Sequence, residues 1–348
     1  MTKAAVVLLV VAALSYGASA QKKVPPDSAK PDQGGKIASP RVSLAPRFSP
    51  GQVFRYEMEF ETTTSTSRSG LATDPQGPGK LVITWDATIR MEVLPAEATA
   101  PGSIRLRTTY EKSAANVRSD TFDPAAAATR DQYQALEGKV VEFTLDAGGK
   151  VKSASGLEGI VGGEKGAQSA REWIAQLDAS SGAPAGGVTV GQKWSFEQAA
   201  TSLPVAGMVW RTETEYLRNE ACHAPNPDVP SDVPLAASSE ESAGNPESSE
   251  TCAVILTRLN LVRPKPVHDP TPEEYRKNGM QTAGKWSGSA QSLTYVSLRS
   301  GLVVSVTQTG TEEMDVTLTN AENSSLHYAG TILSRSQVAL VADDPHGK

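Results

Sequence analysis

The chain has 348 residues, with 33 Lys and Arg against 39 Asp and Glu, and a formal net charge of −6. That balance excludes the clustered basic footprint by which nucleic-acid binders engage phosphates, so no nucleic acid is expected as partner. Aromatic residues make up only 5%, and the Thr, Ser, Gly, Val and Ala-rich remainder suits a β-rich, turn-rich exported protein better than a large α/β enzyme.

Lys3 gives a basic start, residues 4–14 are apolar throughout, and Ala18-Ser19-Ala20 precedes Gln21. This three-part pattern predicts a cleaved secretory signal peptide over residues 1–20. The apolar run is well short of the roughly 20 residues that a membrane span requires. Residues 21–44 are polar and carry Pro25, Pro26, Pro31, Gly34, Gly35 and Pro40, which predicts a disordered leader. The expected location is periplasmic or secreted. No later stretch has the length and hydropathy of a spanning helix, so the protein is not expected to be integral to the membrane.

A first β-rich half is predicted over residues 45–181. Phe54, Tyr56, Met58 and Phe60 alternate with Arg55, Glu57, Glu59 and Glu61, the period-2 pattern of a half-buried strand. A Ser/Thr/Gly stretch ending in Pro75, Gly77, Pro78 and Gly79 then predicts a turn. Leu81, Ile83, Trp85, Ala87, Ile89, Met91 and Val93 hold every odd position of the next segment. A strand puts all seven on one face, whereas a helix would scatter them. Ile104, Leu106 and Tyr110 start a third strand, and the alanines after Pro124 suggest a short helix. Val141, Phe143 and Leu145 resume the alternation ahead of a hairpin turn at residues 146–149. Ala170, Trp173, Ile174 and Leu177 change to helical spacing, which predicts the main helix over residues 165–178.

A second β-rich half is predicted over residues 188–340. It opens on Gly191-Gln192-Lys193-Trp194 and continues in strands over 208–217, 253–262, 292–298, 302–308, 313–318 and 328–338, with a short helix at 273–277. Inside it, residues 224–251 hold six acidic groups, five prolines and no Lys or Arg. Such a segment buries too little apolar surface to offset its ordering entropy and predicts a disordered acidic loop. Cys222 and Cys252 flank it and are the only cysteines. In an oxidising compartment the expectation is a disulfide that pins two paired strands at their open end.

The halves share landmarks: Gly51-Gln52-Val53-Phe54 against Gly191-Gln192-Lys193-Trp194, and a closing hairpin entered through Phe143-x-Leu145 and then Gly149 and Val151, against Tyr295-x-x-Leu298 and then Gly301 and Val303. The fold class expected is mainly β (α+β): a curved antiparallel sheet or half-barrel meander of about ten strands, covered by one main helix; the shared landmarks fit two similar halves, and equally a single meander, in which glycine turns and alternation recur. This layout resembles the half-barrel of periplasmic lipoprotein carriers of the LolA and LppX type. It is also similar to an uncharacterised family of exported bacterial proteins with G-x-x-W openings. The resemblance spans most of residues 45–340 and implies an apolar ligand held by the sheet.

No chemistry-bearing motif emerges. His223, His268, His327 and His346 lack metal-ligand spacing with one another, HExxH and G-x-S-x-G are absent, and the Gly159–Gly166 segment lacks the ending of a phosphate loop. No catalytic, cofactor-binding or metal residue is assigned, and ligand-binding residues stay unassigned. Trp85, Trp173, Trp194, Trp210 and Trp286 are read chiefly as core. The function expected is a non-enzymatic envelope protein that binds an apolar or lipid-like ligand. The alternative is a structural or interaction module that meets another envelope protein. An outer-membrane barrel fits less well, because aromatics are few and prolines many.

Overall fold

The apolar alternation seen in the sequence becomes strand pairing in the described residues. The computed structural model describes residues 41–70, 78–95, 102–120, 125–146, 151–156, 183–184, 186–200, 203–222 and 250–341. The first half comprises β1 (Val53–Gly70), β2 (Gly79–Leu94), β3 (Ile104–Ser119), α1 (Ala125–Gln134), β4 (Val140–Leu145) and β5 (Val151–Ser155). The second comprises β6 (Lys193–Ala199), β7 (Val209–Ala221), β8 (Thr251–Val262), α2 (Glu273–Lys277), β9 (Gln281–Ser297), β10 (Val303–Thr319) and β11 (Ser325–Val341).

All eleven strands form one open antiparallel sheet in the order β5-β4-β3-β2-β1-β11-β10-β9-β8-β7-β6. The seam joining the halves is β1 against β11, sixteen consecutive pairs from Arg55↔Val341 to Gly70↔Leu326. Each half runs strand-strand-strand-helix-strand-strand, and β11 lies between them. Both openings adopt the same turn. The Gly51 amide donates to the Val93 carbonyl (2.8 Å), and the Gly191 amide to that of Tyr216 (2.7 Å). The Gln52 and Gln192 side chains accept from the amides of Ser49 and Thr189, three residues back. Gly51 and Gly191 sit at φ 85° and 81°, a region that glycine enters without the steric cost of a Cβ.

One sheet face carries the principal core. Trp85, Ile89, Met91, Tyr56, Met58, Tyr110 and Phe143 are buried there, joined by Tyr216, Ile255, Val306 and Val338 of the second half. The odd-position rule for β2 holds: Ile83 through Val93 are buried at alternate positions, while Leu81 is partly exposed. Tyr133 and Leu136, at and beyond the end of α1, cover this core from above β3.

Several expectations change. The chain reverses between Gly70 and Gly79, within the stretch expected to turn, but the Ser/Thr part of that stretch is strand, because β1 continues through Thr62–Thr64 and Ser65–Ser67 to Gly70. The β-branched Thr residues favour extended backbone, but with polar groups on both faces they leave no alternation to read. The segments at 302–308 and 313–318 are one strand, β10, and the described residues form eleven strands, in keeping with the ten or so expected. Residues 41–44 fall in the expected leader, yet Val42 bridges Val188 and Leu44 is buried in the core. The expected loop 224–251 ends early, since Thr251 opens β8 and the Glu250 carbonyl accepts from the Cys222 amide. The helix cover seen is α1 and α2, both short. The helix predicted at 165–178, with Trp173, lies outside the described residues, as do residues 1–40 and 223–249.

Candidate functional site

The core face divides into zones because directly opposed residues in antiparallel strands share a face, as do residues two apart. Over β2 and β3 the zone is filled. The Trp85 indole Nε1 donates to Ser113 Oγ (2.9 Å), and that hydroxyl donates on to the Tyr133 carbonyl (2.6 Å). The Trp85 ring packs against Tyr110 and Tyr133, with centroids 6.5 and 5.8 Å away. Burial pushes the Tyr110 and Tyr133 phenols up to about 12. Trp85 is therefore a core side chain, as expected from the sequence.

Over the second half the same face changes character. The row Thr214–Thr257–Ser292–Gln308–Ser336–Phe60 crosses six strands, with hydroxyl or amide groups at five positions. The Thr214 and Thr257 hydroxyls are bonded to each other (3.3 Å). The next row outward, Thr212–Leu259–Ala290–Gly310–Ser334–Thr62, is mostly small side chains. Beyond it lies Trp210–Leu261–Gly288–Glu312–Ile332–Thr64. A second apolar cluster closes the far end, built from Ala200, Val205, Met208, Leu261 and Val316 with Trp210 and Trp286 packed on it. Between the two clusters Leu259, Ala290, Gly310, Ile332 and Ser334 stay partly exposed. This strip is the candidate ligand surface. Its residues were missed in the sequence because they lie on four strands, β8 to β11, and only cross-strand pairing brings them together.

Charge separates the faces. On β1 and β7–β11 the core face bears two charged side chains, Arg68 and Glu312, by the register of the paired strands. Trp286 Nε1 donates to Glu312 Oε2 (2.8 Å). A Cβ at Gly288 would come within 2.9 Å of the Trp210 ring and 3.1 Å of Glu312 Cγ, so both side chains converge over that glycine. The opposite face carries cross-strand ion pairs such as Arg55–Glu111, Arg211–Glu197 and the Arg105–Glu142–Arg107 fork. Hydrogen bonding from Arg107 holds the Glu142 carboxyl below its ordinary range.

Other features hold less. A groove of about 310 Å³ on the opposite face is lined by Arg258, Asn260, Ser289, Gln291, Thr309 and Thr311; it is open and shallow. His327 Nε2 lies 2.8 Å from Asp315 Oδ1, and its Nδ1 lies 3.4 Å from Ser69 Oγ. All three side chains are on the exposed face, where nothing described excludes water from them. His268 stands next to Asp269, while His223 and His346 lie outside the described residues. Among the described residues no three metal-ligating side chains converge. The disulfide Cys222–Cys252 is formed, with Cα atoms 4.9 Å apart, and pins the β7–β8 pair at the end expected. By chain entropy, closing a loop of this length contributes about 3–4 kcal/mol. Among the described residues no helix is long and apolar enough to cross a membrane; strands are a separate matter. A disulfide together with that fits an exported protein.

No family model matches the chain and no curated protein matches it. Solved structures show faint likenesses. One is DynF from the dynemicin biosynthesis pathway of Micromonospora chersina, 7% identical, covering 89% of this chain and 92% of its own, TM-score 0.15. Another is an outer membrane channel from Pseudomonas putida F1, 9% identical over 90% and 100%, TM-score 0.18. A third is the transport unit of the autotransporter AIDA-I from Escherichia coli, 7% identical over 90% and 93%, TM-score 0.21. Likenesses this weak carry no argument.

Proposed function

We propose that this is a non-enzymatic exported envelope protein whose sheet, curved and built of two similar halves, binds an apolar or lipid-like ligand on its core face. One observation carries the reading: a partly exposed strip, nearly free of charge, lies between two apolar clusters on the face that elsewhere holds the core. Broad antiparallel sheets twist and curl, which turns such a strip toward a shared interior. An acyl chain laid there removes apolar surface from water without stranding a charge. The signal-like residues 1–20, the disulfide and the half-barrel resemblance support an envelope location.

The test is a titration of delipidated protein with a fluorescent fatty-acid probe. Saturable binding that a non-fluorescent long-chain lipid displaces is the expected result, with a bound lipid retained in native mass spectrometry of the purified protein. Absence of both sinks the reading. An interaction module is the second reading, favoured by the disulfide that sets the acid-rich residues 223–249 on a pinned strand pair. Deleting 224–249 would then remove a co-purifying envelope partner and leave the melting temperature within a degree or two.

A further inference from the structure

The far end of the core face places one carboxylate between two indoles on an otherwise almost uncharged surface. Glu312 sits in β10 with its side chain partly exposed, and so do Trp210 in β7 and Trp286 in β9. Gly288 makes the convergence possible, because the space of a Cβ at that position is taken by the Trp210 ring and the Glu312 stem. The Trp286 N–H occupies one carboxylate oxygen, Oε2. No cation among the described residues lies within ion-pair distance of either oxygen of Glu312. Arg68, the other charge on this face, lies two strands away and four residues further along β1 by register. On the opposite face carboxylates such as Glu111, Glu142, Glu197 and Glu215 each have an Arg or Lys partner. Others on that face, Glu59 and Asp86 among them, have no cation within ion-pair distance among the described residues; Glu312 differs in being the one carboxylate on the core face of β1 and β7–β11.

A partly desolvated carboxylate attracts a cation more strongly than one in bulk water, and indole faces attract cations through the ring quadrupole. Both act on a compact ammonium group and both repel an anion. The adjoining rows supply a floor for a chain: Leu261 and Ile332 flank the site, and Ala290 and Gly310 lie one step toward the principal core.

We infer that Glu312, Trp286 and Trp210 bind the cationic head of an amphiphile, a quaternary or protonated amine carried on an alkyl chain. This rests on the apolar-ligand reading above and adds the sign of the ligand's head group.

The experiment uses the full delipidated protein and three probes with the same twelve-carbon chain: dodecyltrimethylammonium and laurate below their micellar concentrations, and dodecanol below its solubility limit. Binding is followed by calorimetry. The wild type should bind the ammonium about tenfold or more tighter than laurate, with dodecanol between them. Glu312→Gln keeps an acceptor for the Trp286 N–H and loses only the charge. It should weaken ammonium binding about tenfold and leave dodecanol within twofold. Glu59→Gln, on the opposite face, changes net charge equally and should leave all three affinities in place. Trp210→Leu provides a second reading of the site and should weaken the ammonium several-fold more than dodecanol. Laurate binding as tightly as the ammonium, or a Gln variant that loses nothing, overturns the cationic-head inference while the apolar-ligand reading stands. If none of the three chains binds, both fall.

Discussion

Trp85 shows how one buried polar atom fixes several elements. Its indole sits in β2, its acceptor Ser113 in β3, and the next acceptor, the Tyr133 carbonyl, at the end of α1. Ser113→Ala leaves a buried N–H and a buried carbonyl without that shared hydroxyl, at about 1–3 kcal/mol. Urea unfolding should show the midpoint falling with the slope unchanged. A cost under a few tenths of a kcal/mol would mean that water takes the hydroxyl's place. The neighbouring phenols give a pH dependence. Burial disfavours phenolate, so folding raises the pKa of Tyr110 and Tyr133 from 10.0 to about 12, and Tyr56 moves further in the same direction. A group whose folded pKa is raised contributes stability that is whole below its unfolded value and is lost as pH rises through the folded one. Resistance to urea should therefore fall between pH 10 and 12, and phenolate absorbance from these tyrosines should appear with unfolding rather than before it. Tyr110→Phe with Tyr133→Phe should flatten that fall.

Strand register carries a second set of consequences. Glu59 of β1 stands directly opposite Asp86 of β2, both exposed, and like charges in that relation destabilise a strand pair. Asp86→Lys turns the repulsion into an attraction and should stabilise by about 0.5–1 kcal/mol at low salt. Thermal melts in low and high salt check this, because screening should shrink the gain. The same register explains what the sequence disclosed. In β2 a strict apolar alternation met a buried face, and in α2 the bounds 273–277 matched. The Gly-Gln openings stood out as shared landmarks, and the structure gives both the same turn, a positive-φ glycine beside a capping Gln side chain. What stayed hidden is non-local. Thr62, Thr64 and Ser336 alternate with residues no less polar, and Ser334 follows an exposed Leu333, so their face is set by pairing across β1 and β11, more than 250 residues apart. Trp210, Trp286 and Glu312 came together for the same reason. Each lies on a different strand, and a single sequence holds no signal for their meeting over Gly288.

At the scale of the molecule the decisive contact is the β1–β11 seam at the centre of the sheet. Pairing within β1–β5 and within β6–β11 is sequential, so each half assembles from neighbours, whereas the seam joins the two ends of the folded chain. Each half alone presents a long unpaired edge, a template for association with other strands. The covalent link between the halves adds effective concentration, and among its described residues strand pairing is confined to the Val42↔Val188 bridge. Two separately expressed chains, residues 21–163 and 164–348, should therefore refold together into a one-to-one complex with the melting behaviour of the intact protein at high concentration. Apart, each should aggregate or show little cooperative unfolding. Chains that fold alone as stable monomers would make the halves independent domains, and chains that refuse to combine would remove the seam from its central place. A substitution at the seam separates these outcomes further. Gly330 of β11 has no room for a Cβ, since its neighbours across the seam, Ser65 and Thr66, already crowd that space. Gly330→Val should then weaken association of the two fragments more than it weakens either one's own pairing, read as a higher concentration for half-assembly.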